Sequence, residues 1–276
     1  MSAARTAAAW SALAADWDTA GAAWNQPVAG RLVELAGLRP GMVSLDIGCG
    51  AGAATIPAAR AVHPAWVTAI DVSDAMVLRA QQQAAAAGVT NAAFKCLDAM
   101  NLPYQPACFD AVIASMVITH LPQPSAALRA WARLLTPHGV LAFSWVAAED
   151  PAWQPVFQAV EAFLLPPRRR SARQRWSPAQ AGALLPAGLT AATITEPVTT
   201  RYDSPGHWWQ SAWTQAPAIT WSALPGPARQ DARQAAFAHL AGLRNRDGWL
   251  ERTRTVCYTT ARPAPPADVR APGNRG

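Results

Sequence analysis

The sequence predicts an α/β fold built on a doubly wound, mostly parallel sheet. Three observations carry this. Short apolar runs at 42–47, 66–71, 92–97, 109–115 and 140–146 alternate with helix-forming stretches, the pattern of βαβ units with right-handed crossovers. The first run breaks into glycines at alternate positions, Gly48, Gly50 and Gly52, and then into an Ala-rich helix. A second acid, Asp71, closes the next run about twenty residues further on, the spacing at which a strand-end carboxylate meets a ribose.

The elements follow in order. Residues 3–15 and 27–37 read as helices ahead of the sheet, with Pro27 at a first helical position and Gly37 near the end. Helix 53–62 follows the first strand and stops at His63-Pro64. Ser73 caps a helix that runs to Ala87, where Gly88 stops it. Helix 124–135 carries Leu128, Trp131 and Leu135 on one face, and Thr136-Pro-His-Gly139 ends it. Beyond 150 the pattern changes. Helices are expected at 151–165, 177–187, 203–215 and 226–241, a solvated break at Pro166-Pro-Arg-Arg-Arg170, and strands near 189–199 and 250–261. The Pro-rich tail, 263–276, is expected to be disordered.

Glycine is needed where backbone turns tightly or a ligand approaches it closely. Gly48 and Gly50 form the turn after the first strand, and Gly52 lets the next helix pack onto the sheet. Gly48, Gly50 and Ala53 also satisfy the looser dinucleotide pattern, so the loop by itself leaves NAD and S-adenosylmethionine both open. Three features favour the sulfonium cofactor. Asp46 stands two residues before the first glycine, where a carboxylate suits a cationic amino group and repels a pyrophosphate. No spare basic residue near the loop could meet a diphosphate. Asp98 ends a third apolar run, placed to accept from an adenine amino group, with a plain turn residue as the alternative.

Five ordered stretches resemble the class I S-adenosylmethionine-dependent methyltransferases of the small-molecule type. They are Leu45-Asp-Ile-Gly-Cys-Gly-Ala-Gly52, Ala69-Ile-Asp-Val-Ser-Asp-Ala-Met76, Lys95-Cys-Leu-Asp-Ala-Met100, Phe109-Asp-Ala-Val-Ile-Ala-Ser115 and Leu134-Leu-Thr-Pro-His-Gly-Val-Leu141. The resemblance covers residues 20–147 well and the rest loosely. It implies a Rossmann-like, seven-stranded sheet with N-terminal helices (1–38), a cofactor-binding core (39–147) and a lid-containing substrate region (151–248), all within one domain, 1–262. It implies S-adenosylmethionine as cofactor and S-adenosylhomocysteine as product. Cofactor contacts then fall to Asp46, Gly48, Cys49, Gly50 and Gly52 in the loop, and to Asp71, Val72 and Met76 after the second strand. Asp98, Ala99 and Met100 meet the adenine edge, and Ser115 lies beside the methionine tail. Cys49 reads as a small packed residue rather than a nucleophile. Met76 fits an adenine wall and plain core equally.

His120 follows the fourth strand, at the edge of the ligand crevice of an open α/β sheet. Histidine takes a proton from a hydroxyl near neutral pH, so His120 is the first candidate base, with a purely structural histidine as the alternative. His207 is the second candidate. It sits in a segment with Trp208, Trp209 and Trp213. Their apolar surface either faces a flat acceptor beneath a lid or packs the lid onto the sheet. Trp24, with Trp17, would close the other side of the pocket.

At 276 residues, 51% hydrophobic and 14% charged, the chain can bury a sizeable core. No apolar run reaches the length of a membrane span, and the N-terminus lacks the features of a signal peptide. Four cysteines without CxxC or metal spacing fit a reduced, cytoplasmic enzyme with no metal. A net charge of +6 admits a nucleic-acid partner. Yet Lys95 is the only lysine, and heavy Ala, Arg, Pro and Trp usage marks a GC-rich coding bias, which favours no nucleic acid. The run Arg168, Arg169, Arg170, Arg173 and Arg175 is a solvated loop by default and a contact for an anionic acceptor otherwise. No Asn/Asp-Pro-Pro-Tyr or Pro-Cys follows the fourth strand, which disfavours amide, adenine and cytosine methylation. The reading is a monomer or homodimer that methylates a small, hydrophobic or aromatic acceptor of secondary metabolism, on oxygen or carbon ahead of nitrogen. Its rivals are an RNA methyltransferase and a cyclase or binding protein that keeps the cofactor without methyl transfer.

Overall fold

The computed structural model describes residues 3–14, 17–164, 176–215 and 217–264. Two helices, α1 (Ala3–Ala14) and α2 (Trp17–Ala36), precede the sheet. α2 is longer than its sequence suggests, because Pro27 lies inside it rather than at its start. Proline there removes one intrahelical bond. Burial of Val28, Leu32, Val33 and Ala36 against the sheet holds the helix together across that gap.

The strands are β1 (Ser44–Ile47), β2 (Val67–Asp71), β3 (Ala92–Cys96), β4 (Phe109–Ser115), β5 (Leu135–Glu149), β6 (Leu189–Tyr202) and β7 (Leu250–Pro263). They form one sheet in the order β3-β2-β1-β4-β5-β7-β6. The first five run parallel, and β7 is antiparallel to both β5 and β6. This is the Rossmann-like, doubly wound, mostly parallel arrangement. The chain winds outward from β1 to β3 and then returns to β4 on the other side of β1. That reversal opens a crevice at the carboxyl ends of β1 and β4.

Helices α3 (Thr55–Val62), α4 (Asp74–Ala86) and α5 (Pro124–Ala132) make the crossovers. Ser73 caps α4 by accepting from the Met76 N–H at 3.2 Å. β5 begins at Leu135, ahead of the expected 140. Leu135 pairs with Phe109, and the register then shifts before Val140 pairs with Ala111. The irregularity absorbs Thr136-Pro-His-Gly139 within the strand. Alternation along the strands builds a core on each face. Val112, Ala114, Leu141 and Phe143 pack with α5, while Ala111, Ile113, Val140 and Ala142 pack with α2 and α3.

Helices α6 (Gln154–Glu161), α7 (Pro178–Gly182), α8 (Pro205–Trp213), α9 (Pro217–Trp221) and α10 (Gly226–Leu240) complete the described elements. α6, α8, α9 and α10 share a third core around Trp153, Phe157, Trp208, Trp221 and Leu240. The arginine run 168–175, most of the Pro-rich tail and the Trp17 side chain lie outside the described residues. Among the described residues, no helix is long and apolar enough to cross a membrane.

Candidate active site

A cleft of about 240 Å3 opens at the crevice. Gly48, Gly50 and Gly52 beneath it have φ of +68°, +52° and +92°. Gly48 must also be bare, since a Cβ would stand 2.4 Å from Val117 Cγ2. Gly50 differs. Its Cβ would meet nothing within 4 Å, and the residue lines the cleft, so any side chain there would take ligand space. Gly52 sits against Ala80 of α4.

Asp71 ends β2, buried but lining the cleft. Its Oδ2 accepts from the Gly50 N–H at 3.0 Å and its Oδ1 from the Ser73 N–H at 2.9 Å. These bonds fix the carboxylate and leave a lone pair on each oxygen for a diol. Burial raises its pKa, and the Ser73 and Gly50 N–H groups oppose the rise.

Asp46 lines a smaller adjoining pocket with Asn25, Gly48, Gly50 and Ser115. Thr55 Oγ1 donates to its Oδ2 at 2.6 Å. Its Oδ1 is buried without a hydrogen-bond partner among the described residues. Burial pushes the carboxyl up to about 7, against the pull of the Thr55 bond and with a small addition from the Asp71 charge. Cys49 packs on Ala69 and Ala80. Burial, and then the charges of Asp46 and Asp71, hold its thiol well above the ordinary range, so it stays neutral.

Val72, Met76, Leu97, Asp98, Ala99 and Met100 line the cleft as well. Asp98 both lines it and makes the local turn, its Oδ1 accepting from the Met100 N–H at 2.9 Å. Trp131 Nε1 pins that loop by donating to the Ala99 carbonyl at 2.9 Å. Met76 is almost wholly buried and also belongs to the cleft lining. Ser115 lines the cleft at the end of β4, its Oγ 3.4 Å from Ser144 Oγ. Met116 follows with a φ of +62°, a strained conformation of the kind that clusters at functional sites.

His120 ends a single 3-10 turn, Ile118–His120, and lines the cleft. Its ring meets Trp10 edge to face at 5.2 Å. Trp24 lines the cleft as well.

The other candidates lie elsewhere. His207 does not line the cleft. Its Nδ1 is 3.2 Å from Asp203 Oδ1 on the surface of α8. Trp208 is fully buried between Trp153, Phe157 and Trp221. Trp209 stacks on Trp221, and Trp213 packs edge-on against both. The helical period of α8 turns these rings toward α6, α9 and α10, so they join these helices into one core, and none of the three lines the cleft.

Sequence reasoning missed Asn25, Met116, Glu149, Gln215, Arg252 and Arg254, all lining the cleft. Arg252 and Arg254 alternate on β7 and so share a face, a signal present in the sequence. Nothing in a single sequence says which face of β7 meets the cleft.

The donor set fits S-adenosylmethionine. Gly50 provides a cradle that a Cβ would fill, Asp71 presents a fixed acceptor for a diol, and Asp46 Oδ1 is a buried oxygen in want of a cation or donor.

Residues 45–139 match the model of a methyltransferase domain family. The nocamycin O-methyltransferase of Saccharothrix syringae is 38% identical over 128 residues, 46% of this chain and 46% of that protein. The aklanonic acid methyltransferase DauC of a Streptomyces species is 32% identical over 152 residues, 55% of this chain and 65% of that protein. The chain thus spans about half the length of the curated relatives it matches. Among solved structures, a putative methyltransferase from Bacillus halodurans shares the fold, with a TM-score of 0.58 at 18% identity over 86% of this chain and 99% of that one. Over residues 45–139 the chain is thus similar to a methyltransferase domain, and that stretch carries the glycine loop and the strand-end acids described above.

Proposed function

We propose that the protein transfers a methyl group from S-adenosylmethionine to an oxygen of a small, hydrophobic or aromatic acceptor of secondary metabolism. The observation that carries the reading is Asp71, held by Gly50 and Ser73 in the lining of a cleft that His120 also lines. In this reading Asp71 accepts from the ribose diol, and Asp46 faces the amino group of the methionine tail beside Ser115. Val72, Met76 and Met100 enclose the adenine, with Asp98 at its edge. Gly48, Gly50 and Gly52 keep the floor bare, and Cys49 fills the space behind it. The relatives named for O-methylation support oxygen as the acceptor atom.

The cofactor supplies an electrophilic methyl carbon. What remains for the protein is alignment, exclusion of water and removal of one proton. His120 takes the hydroxyl proton as the oxygen attacks. Trp10 holds its ring edge-on, while Trp24 and Met116 wall the acceptor. The region 151–248 contributes Gln215 and Pro217 to the cleft and shapes the acceptor space from the lid side.

Calorimetric titration with S-adenosylmethionine and with NAD, on the wild type and on Asp71→Ala, tests the reading. Charge-assisted hydrogen bonds contribute about 1.5–3 kcal/mol each, so the variant is expected to bind S-adenosylmethionine about 10–100-fold more weakly. Binding of NAD in preference, or of neither molecule, would overturn it. Formation of S-adenosylhomocysteine with a panel of phenols then identifies the acceptor class.

A further inference from the structure

We propose that Ser144 of β5 is a positioning residue for methyl transfer. Its hydroxyl pins a left-handed turn at Met116, and that turn brings the acceptor wall and the base His120 into register with the glycine loop. This rests on the methyl-transfer reading of the same cleft.

β4 ends at Ser115, and the chain leaves the sheet through Met116 with a φ of +62°. Among the described residues, Ala107 is the other non-glycine with positive φ, and it does not line the cleft. Left-handed backbone strains any residue that carries a Cβ, so the surroundings must hold Met116 there. Ser144 is wholly buried on the neighbouring strand and pairs with Ser115 in the register of β4 and β5. Its Oγ accepts from the Met116 N–H at 3.2 Å, and Ser115 Oγ is 3.4 Å away. An N–H buried without an acceptor is costly, so this hydroxyl favours the one backbone direction that keeps the bond.

A chain of contacts carries the turn to the chemistry. Met116 itself lines the cleft. Val117 occupies the space beside the bare Gly48, its Cγ2 2.4 Å from where a Cβ would stand. The Val117 carbonyl accepts from the His120 N–H at 2.8 Å and closes the turn Ile118–His120. Ile118, inside that turn, is wholly buried in the core that includes α5. Ile118 fixes how deep the turn sits, and Met116 fixes the direction from which the chain enters it. A rotation at Met116 therefore displaces Val117 from Gly48 and moves His120 with it.

Glycine would hold the same φ without strain. Methionine holds it at a cost and puts a flexible, polarisable thioether into the acceptor space, a surface suited to an aromatic ring. The two residues thus divide the work. Met116 meets the acceptor, and Ser144, which does not line the cleft, keeps Met116 and His120 where the reaction needs them.

The test uses the full chain, its histidines carbon-13 labelled at Cε1, saturated with S-adenosylhomocysteine. The chain has five histidines, and His120 gives the NMR signal that His120→Gln removes. The Trp10 ring, edge to face at 5.2 Å, makes that signal sensitive to displacement. Ser144→Ala is expected to shift or broaden it and to leave the signals of His63, His138, His207 and His239 in place. Adding Met116→Gly, which needs no pin, is expected to return it. On a phenol that the wild type methylates, Ser144→Ala should lower kcat about 10–100-fold, up to the cost of a misplacement of about 1 Å. Acceptor KM and S-adenosylhomocysteine affinity should change far less. The double variant should recover kcat while its acceptor KM rises, since the wall is gone. A merely structural serine would lower the urea midpoint and leave the His120 signal and the kcat of the folded protein alone. If Ser144→Ala fails to fold, Ser144→Cys, whose sulfur is a weaker acceptor, is expected to move the same signal. An unmoved His120 signal, one that Met116→Gly does not return, or an unchanged kcat overturns the positioning role. A wild type that does not bind S-adenosylhomocysteine overturns the methyl-transfer reading itself, and the positioning role with it.

Discussion

Thr55 Oγ1 donates a 2.6 Å hydrogen bond to Asp46 Oδ2, tying the first residue of α3 to the acid of β1 across the glycine loop. Both residues are almost wholly buried. The bond occupies one carboxyl oxygen and leaves Oδ1 facing the small pocket beside Gly48 and Gly50.

Burial of Asp46 makes stability depend on pH. Its pKa in the fold is about 7, against an ordinary 3.8. Between those values the folded chain holds a proton that the unfolded chain has lost. Stability from this group is therefore complete below about pH 4, falls as pH rises toward 7, and is flat above. At about 1.4 kcal/mol per pH unit, the fall reaches a few kcal/mol. Asp46→Asn stays neutral and removes it. Urea melts should show the variant gaining on the wild type from pH 4 to 7 and remaining ahead at pH 8. A cationic amino group in the adjoining pocket favours the ionised acid. Wild-type affinity for S-adenosylmethionine should thus rise over the same interval, with proton release visible by calorimetry in buffers of different ionisation enthalpy.

Gly48 and Gly50 should fail in different ways when given a methyl group. Each has positive φ, so alanine costs about 1–2 kcal/mol at either position. Gly48→Ala adds a 2.4 Å clash with Val117, so it loses more stability, and Val117→Ala should restore part of it. Gly50→Ala meets no protein atom and stays near the strain cost alone, yet its methyl enters the cofactor's space. Urea melts beside S-adenosylhomocysteine titrations separate the two. A Gly50→Ala protein with unchanged affinity would falsify the placement of the cofactor over this loop.

The sheet is legible in the sequence because its strands are apolar runs closed by acids and glycines. β4 matches its expected limits, Phe109–Ser115, at both ends. α2 is less legible, since Pro27 reads as a helix start and only packing on the sheet carries the helix past it. Asp46, Asp71 and His120 announce themselves by position relative to strand ends. Trp208 and Arg254 do not. Whether a tryptophan of α8 faces the cleft or the helical core depends on where α6 and α10 dock, a non-local contact that helical periodicity does not encode. The cleft-facing side of β7 depends in the same way on its antiparallel insertion between β5 and β6.

His120 should control the rate and leave cofactor affinity alone. It lines the cleft, and its ring is held by Trp10. A positioned general base contributes about 10²–10⁴-fold. His120→Gln should lower kcat on a phenolic acceptor within that range, with S-adenosylhomocysteine affinity unchanged. A variant that keeps the rate would show that the proton leaves by another route, such as water.

Trp208 provides the converse case, a residue of large energetic weight with no place in the cleft. It is enclosed by Trp153, Phe157 and Trp221, with ring centres about 6 Å away. Trp208→Ala empties the centre of the core shared by α6, α8, α9 and α10 and should cost about 3–5 kcal/mol in urea unfolding. Trp208→Phe should cost far less than the difference in ring size suggests. The indole Nε1 is buried without a hydrogen-bond partner among the described residues, and phenylalanine removes that unsatisfied donor along with the ring that carries it. Both variants should retain S-adenosylhomocysteine affinity at temperatures where they are folded. If Trp208 faced the acceptor, the pattern would invert. Trp208→Phe would then raise the acceptor KM while leaving the urea midpoint where it was, and that outcome would return α8 to the substrate pocket.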